Sequence, residues 1–85
     1  MVNNKIKVLI IGGAGYIGSV LTEELLKRNY AVKVLDLFDK VESSMSYAAQ
    51  YADFEAVRAD VLDIDAVKPH LQGVDVIIPL AALVG

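Results

Sequence analysis

The stretch that decides the fold is residues 10–18, which read IIGGAGYIG. An apolar run at residues 8–11 ends abruptly in these glycines, and amphipathic sequence long enough for about one helix follows. A strand, a glycine turn and a helix in that order are the context in which such glycines indicate dinucleotide binding. A glycine-rich turn without any ligand is the alternative.

Each glycine of this turn has a distinct expected task. Pyrophosphate carries two negative charges and binds where N–H groups at a helix N-terminus are not obstructed by side chains. Gly12 allows the tight turn, Gly15 lets the backbone approach the phosphates, and Gly18 lets the helix pack closely on the sheet. Two registers fit the pattern, G-x-x-G-x-x-G from Gly12 and G-x-G-x-x-G from Gly13.

An aspartate follows the glycines at the distance expected for ribose binding. Asp36 ends the second predicted strand, about 20 residues beyond the turn, where a carboxylate accepts hydrogen bonds from the adenosine ribose hydroxyls. The same carboxylate repels a 2′-phosphate, so NAD is favoured over NADP. Leu37 follows rather than Arg or Lys, so the adjacent sequence offers no partner for a 2′-phosphate. The alternative is an aspartate that only starts the next loop.

Strands and helices alternate along the rest of the chain. This alternation predicts an α/β fold, a doubly wound parallel sheet of strand order 3-2-1-4 with helices on both faces. In the first helix, we expect Ile17, Val20, Leu21 and Leu25 to face the core and Ser19, Thr22, Glu23 and Lys27 to face solvent. The predicted strands span 5–11, 31–36, 54–58 and 74–78, and the predicted helices span 16–28, 63–71 and a short segment at 44–52.

Individual residues predict where these elements begin and end. Asn29 and Gly73 suit the left-handed conformation that follows a helix. Asp63 is a candidate N-cap, and Pro69 predicts that the helix it begins is short or kinked. Pro79 marks the end of the fourth strand.

Composition excludes several classes of protein. The chain has 85 residues, enough for one small domain, and it has no cysteine for a disulfide or a thiolate metal site. No apolar run reaches the roughly 18 residues of a membrane span. The net charge of −3 without a basic cluster argues against nucleic acid. We expect a cytoplasmic protein with neither a membrane nor a nucleic acid as partner.

The motifs resemble those of extended short-chain dehydrogenases/reductases, the NAD-dependent sugar epimerase/dehydratase family. Residues 12–18 are similar to its T-G-x-x-G-x-x-G turn, and residues 34–36, 59–63 and 79–82 match further motifs in the same order. The resemblance implies a Rossmann-type sheet, here partial, with NAD as cofactor. The chain departs from the family pattern at Ile11, Ala59 and Pro79, where Thr, Gly and His are usual.

The resemblance also implies roles for single residues. Backbone N–H groups of Tyr16 and Ile17 would bind the pyrophosphate, while Asp60 would bind the adenine amino group and the Val61 backbone the adenine ring. Leu80, Ala81 and Ala82 would line the ribose and nicotinamide side. The full expected cofactor-binding set is Gly12, Gly15, Tyr16, Ile17, Gly18, Asp36, Asp60, Val61, Leu80, Ala81 and Ala82.

The family's catalytic Tyr-x-x-x-Lys pair does not occur, because no tyrosine of the chain has a lysine four residues later. We therefore expect residues 1–85 to be a single N-terminal NAD-binding segment of a larger isomerase, lyase or oxidoreductase, with catalysis and nucleotide-sugar binding located elsewhere. The alternatives are a non-catalytic dinucleotide-sensing module, and a half-domain whose exposed fourth strand pairs with a second copy.

Other candidate sites have simpler explanations. Asp60, Asp63 and Asp65 lack the glycine and the distal glutamate of a calcium loop, so no metal site is predicted. His70 is the one histidine of the chain and lies near a predicted helix end, where a solvated side chain is expected.

Overall fold

The computed structural model describes residues 5–12, 15–38, 48 and 50–80. The predicted short helix at 44–52 and the predicted site residues Ala81 and Ala82 lie largely or wholly outside this part of the chain. The elements are β1 (Lys7–Ile11), α1 (Tyr16–Lys27), β2 (Ala31–Asp36), β3 (Phe54–Arg58), α2 (Ile64–Val67), a 3₁₀ segment (Lys68–Leu71) and β4 (Val76–Pro79).

All four strands are parallel and lie in the order β3-β2-β1-β4, as predicted. The chain passes from β1 through α1 to β2 on one side, and later crosses to the other side of β1 to form β4. The strand order therefore reverses between β1 and β4. In open α/β sheets, ligands bind outside the carboxyl ends of the strands at such a switch point.

Both faces of the sheet are covered, which confirms the predicted doubly wound arrangement. Alternate strand residues point to opposite faces. Val8, Ile10, Val32 and Val34 pack with Leu26 of α1 on one face. On the other face, the packed residues are Leu9, Leu35 and, from α2, Val67.

The prediction of which side of α1 is buried was partly right: Leu21 and Leu25 pack against the core as predicted, but the fully buried row lies about one residue of helical rotation away. Ile17 and Val20 are 70% and 54% exposed, whereas Thr22 is fully buried. Gly18, Thr22 and Leu26 form the buried row at spacing i, i+4, i+8. Hydrophobicity alone missed this row because two of its members are a glycine and a threonine, whose small size lets the helix approach the sheet.

The predicted helix ends are confirmed. Asn29 and Gly73 have φ of 71° and 77°. The Asp63 carboxylate accepts hydrogen bonds from the N–H groups of Asp65 and Ala66. Pro69 lies in the 3₁₀ segment, where the helix started by α2 tightens because proline cannot donate to a regular helical ladder.

Strands β1 and β4 begin two residues later than predicted. Just before β4, the Lys7 N–H donates to the Asp75 carboxylate over 2.8 Å, and the Asp75 N–H donates to the Lys7 carbonyl over 2.9 Å. The pairing of β1 with β4 starts beyond this contact, at Val8 and Val76. Val76 and Ile77 of β4 are 43% and 48% exposed, and self-association through this strand stays a prediction.

Within the described ranges, no helix is both long enough and apolar enough to cross a lipid bilayer.

Candidate functional site

Backbone hydrogen bonds join the carboxyl ends of the four strands into one continuous edge. Each bond runs from a residue just past one strand to the end of a neighbouring strand. The edge therefore holds the glycine turn, the end of β2, the turn after β3 and the end of β4 side by side. The three bonds are Gly12 N–H to Leu35 O (2.7 Å), Ala59 N–H to Asp36 O (3.0 Å) and Leu80 N–H to Ile11 O (2.8 Å).

The two described glycines of the turn have different reasons to be glycine. Gly12 has φ of +78°, a left-handed conformation that favours glycine. Gly15 has φ of −78° and ψ of −172°, an extended conformation that any residue adopts. A Cβ added at Gly15 would meet no heavy atom of the described chain within 4 Å. Neither backbone conformation nor packing requires glycine there, whereas a ligand pressed against the backbone would.

Helix α1 begins directly after Gly15 with no side chain capping its N-terminus and no acidic residue in its first turn. The first N–H groups of a helix have no partner within the helix and carry the positive end of its dipole. The side chains of Tyr16 and Ile17 are 83% and 70% exposed, so they project away from the packed face. This N-terminus is therefore suited to an anion such as pyrophosphate.

Asp36 lies at the end of β2, on the same face of the sheet as α1. Its Oδ1 accepts a hydrogen bond from the Phe38 N–H over 3.0 Å. Phe38 has φ of +53°, so the chain turns sharply here and keeps the carboxylate at the strand end. This is the position at which a ribose bound beside the glycine turn would meet a carboxylate.

One residue at this edge, Arg58, was not among the site residues predicted from the sequence. Arg58, the last residue of β3, is the register partner of Asp36. Register partners on parallel strands project from the same face, so a cation stands next to the predicted ribose-binding carboxylate. The sequence signal was available, since the predicted strands 31–36 and 54–58 are neighbours in the predicted order and end on these two residues.

The turn after β3 presents the expected adenine-binding residues. Asp60 is exposed, and its Oδ1 accepts a hydrogen bond from the Leu62 N–H over 2.9 Å. Val61 is half-buried and packs against the core cluster that contains Leu9. Leu80 packs against the opposite core cluster. The described members of the predicted set therefore lie along one edge, on turns anchored by the two cores.

A concave region lies at the opposite, amino edge of the sheet. Its volume is about 250 Å³, and Lys7, Ala31, Phe54 and Gln72 are among the residues that line it. None of the predicted site residues lines this cleft. Strand polarity and the glycine turn, not cleft size, identify the candidate site.

Comparison with known proteins gives relatives of several activities. The chain is 36% identical over 81 residues to a UDP-N-acetyl-alpha-D-glucosaminuronate decarboxylase of Bacillus cytotoxicus, which covers 95% of the chain and 25% of that protein. It is 32% identical over 78 residues to a 3 beta-hydroxysteroid dehydrogenase/Delta 5-->4-isomerase of Mycobacterium tuberculosis, covering 92% of the chain and 20% of that protein.

A solved structure shares the fold. The dTDP-glucose 4,6-dehydratase of Bacillus anthracis, in complex with NAD, superposes with a TM-score of 0.79 at 20% identity, over 91% of this chain and 27% of that one. The chain thus spans about a quarter of the length of these proteins. Residues 8–85 match the family described as the NAD dependent epimerase/dehydratase family. With strand order, glycine turn and sequence match in agreement, the chain belongs to the NAD-dependent epimerase/dehydratase family.

Proposed function

We propose that this chain is the NAD(H)-binding part of an NAD-dependent nucleotide-sugar epimerase or dehydratase. The observation that carries the proposal is Gly15, a glycine that neither its backbone conformation nor its packing against the described residues requires. It stands immediately before an uncapped helix N-terminus. A dinucleotide pyrophosphate explains both features, because it needs bare backbone and N–H donors at the same place.

The remaining residues of the edge fit the rest of an NAD molecule. Asp36 would accept hydrogen bonds from the adenosine ribose hydroxyls, and Asp60 with the Val61 backbone would bind adenine. Leu80, followed by Ala81 and Ala82, would line the nicotinamide side. When bound, NAD supplies a group that takes a hydride from a sugar carbon and later returns it. The residues described here bind and orient that group.

The nucleotide-sugar substrate is supported by the similarity to the decarboxylase, whose name specifies a UDP-linked sugar acid. The relative from Mycobacterium tuberculosis is named for a steroid substrate. We therefore expect the substrate contacts to come from outside residues 1–85, since relatives named for different substrates resemble the same portion of chain.

The second candidate function is a non-catalytic dinucleotide-sensing module. It remains open because residues 1–85 contain no Tyr-x-x-x-Lys pair. The two candidates differ in the polypeptide outside these residues, where such a pair would supply a general base beside the nicotinamide. The 85-residue chain assayed alone should show no epimerase or dehydratase turnover under either hypothesis, and a robust rate would contradict both.

Calorimetric titration with NAD⁺ tests the proposed site, with two glycine variants as a matched pair. Gly15→Ala places a methyl group where the pyrophosphate would lie, and we expect it to weaken NAD⁺ binding about tenfold, or 1.4 kcal/mol, without loss of stability. Gly73→Ala is the control, because Gly73 has φ of +77° and lies away from the carboxyl edge. It should cost about 1 kcal/mol of unfolding free energy and leave NAD⁺ affinity unchanged.

Two outcomes would contradict the proposal. The first is a folded wild-type protein that does not bind NAD⁺. The second is a Gly15→Ala variant that binds NAD⁺ as tightly as the wild type.

A further inference from the structure

Asp36 and Arg58 form the last rung of the ladder between β2 and β3. Their Cα atoms are register partners, and neighbouring strands lie about 4.8 Å apart. Both residues share a sheet face with Val34, which packs against the α1 side of the core. The N-terminus of α1 is therefore on the same side. A carboxylate and a guanidinium thus stand together at the ribose end of the proposed NAD site.

Among the described residues, the Arg58 guanidinium has no ion-pair partner. Arg58 is exposed, and no carboxylate of the described residues lies within 4.0 Å of its nitrogens, since the ion pairs found there involve Lys5, Lys27, Arg28 and Lys33. Three rungs away on the same ladder, Lys33 does pair with its register partner Glu55, at an N···O distance of 3.7 Å. The last rung of this ladder therefore has a cation that is available to a ligand.

A guanidinium at this place matches the group that distinguishes NADP from NAD. Its planar N–H donors bind phosphate oxygens in pairs. An arginine side chain is long enough to reach from β3 across the width of one strand. The adenosine 2′-phosphate would lie near Asp36, because this carboxylate is placed to accept the 2′-hydroxyl.

We propose that Arg58 is a specificity-determining residue that acts against Asp36 in the choice between NAD and NADP. This inference rests on the proposed function. Asp36 repels a 2′-phosphate and Arg58 attracts it, so the preference for NAD depends on the balance of two charges on adjacent strands. Removal of the Asp36 charge leaves Arg58 as a 2′-phosphate ligand, with no further substitution needed.

The test is a double-mutant cycle on the intact polypeptide that contains these residues. NAD⁺ and NADP⁺ affinities are measured by calorimetry at one low ionic strength for the wild type, Asp36→Asn, Arg58→Gln and the double variant. We expect Asp36→Asn to raise NADP⁺ affinity about tenfold. Adding Arg58→Gln should remove about three- to tenfold of NADP⁺ affinity while NAD⁺ affinity changes less than twofold.

Arg28→Gln is the matched control. Arg28 is also an exposed arginine, but it follows the last turn of α1 and pairs with Glu24 at 3.2 Å, far from the carboxyl edge. In the Asp36→Asn background it should leave NADP⁺ affinity unchanged. Circular dichroism of each variant verifies that the fold is retained. Asp36 and Arg58 lie at strand ends and belong to neither core cluster, so their substitution leaves the core residues unchanged.

The results separate this inference from the proposed function. If the wild type binds NAD⁺ but Arg58→Gln leaves NADP⁺ affinity unchanged in the Asp36→Asn background, Arg58 has no part in specificity and the inference is overturned. An equal loss of NAD⁺ and NADP⁺ affinity would also overturn it, because a general electrostatic effect does not discriminate. If the wild type binds neither nucleotide, the proposed function itself fails.

Discussion

Helices α1 and α2 begin near the same edge of the sheet, but they differ in whether a side chain caps their first N–H groups. Helix α2 follows Asp63, whose carboxylate accepts from the N–H groups of Asp65 and Ala66 over 3.1 and 3.3 Å. Helix α1 follows Gly15, has no side-chain cap and has no acidic residue in its first turn. The N-terminus of α2 is thus capped by a side chain of the protein, whereas that of α1 has no side-chain cap.

This difference shows how a short chain separates structural from ligand-binding helix ends. An aspartate cap satisfies two donors and places negative charge at the positive end of the dipole, which stabilises a helix of only four residues. Helix α1 has twelve residues and a buried row against the sheet, so it is held by packing. Its N-terminus can therefore remain available to an anion.

The largest expected effect comes from giving α1 the cap of α2. In Gly15→Asp, the extended backbone at this position suits an N-cap, and the side chain has open space. The new carboxylate would occupy the pyrophosphate position and repel it, so NAD⁺ affinity should fall about a hundredfold. Thermal unfolding should show unchanged or slightly higher stability. NAD⁺ binding at wild-type strength would show that the α1 N-terminus is not the pyrophosphate site.

The reciprocal change should affect stability instead of binding. Asp63→Ala removes the cap of α2, and we expect a loss of about 1 kcal/mol in the free energy of unfolding. Asp63→Asn retains a capping oxygen and is the control, with most of that stability kept. NAD⁺ affinity should be the same in both variants, as measured by calorimetry. A marked loss of NAD⁺ binding in Asp63→Ala would mean that the two helix ends are not separate in function.

The smallest expected effect lies in the body of α1. Thr22 is fully buried, and its hydroxyl has no hydrogen-bond partner in the described part of the chain. Thr22→Val replaces that hydroxyl with a methyl group of similar size, and chemical denaturation should show a gain of about 0.5–1 kcal/mol. NAD⁺ affinity should not change. A destabilised Thr22→Val would show that the hydroxyl is bonded in solution, and that α1 is held by more than packing.

Much of the fold could be predicted because the deciding signals are local. Strands β2 and β3 have the predicted bounds, since each is a short, mainly apolar segment that ends at a charged residue. Strand order followed from the alternation of strands and helices and from right-handed crossovers. Hydrophobicity predicted that Leu21 and Leu25 of α1 pack against the core. It missed the buried Gly18 and Thr22, whose small size lets the helix approach the sheet.

In the candidate site, too, local sequence signals could be recognised, whereas a signal that depends on tertiary structure could not. Gly12, Gly15 and Asp36 could be proposed from the sequence because each is recognised by its position relative to one strand. Arg58 was missed because its significance appears only when β3 is placed beside β2 in register. The residue next to Asp36 in the sequence, Leu37, is apolar, whereas the register partner of Asp36 on the neighbouring strand is Arg58.

The most direct test of the account is to observe the backbone N–H groups themselves. In ¹⁵N-resolved NMR spectra of the protein during an NAD⁺ titration, the amide signals of Tyr16 and Ile17 should shift with a single saturating curve. The amide signals of Asp65 and Ala66, already bonded to Asp63, should stay in place. Shifts confined to the amino-edge cleft around Gln72, or equal shifts at both helix N-termini, would contradict the claim that the open end of α1 holds the dinucleotide.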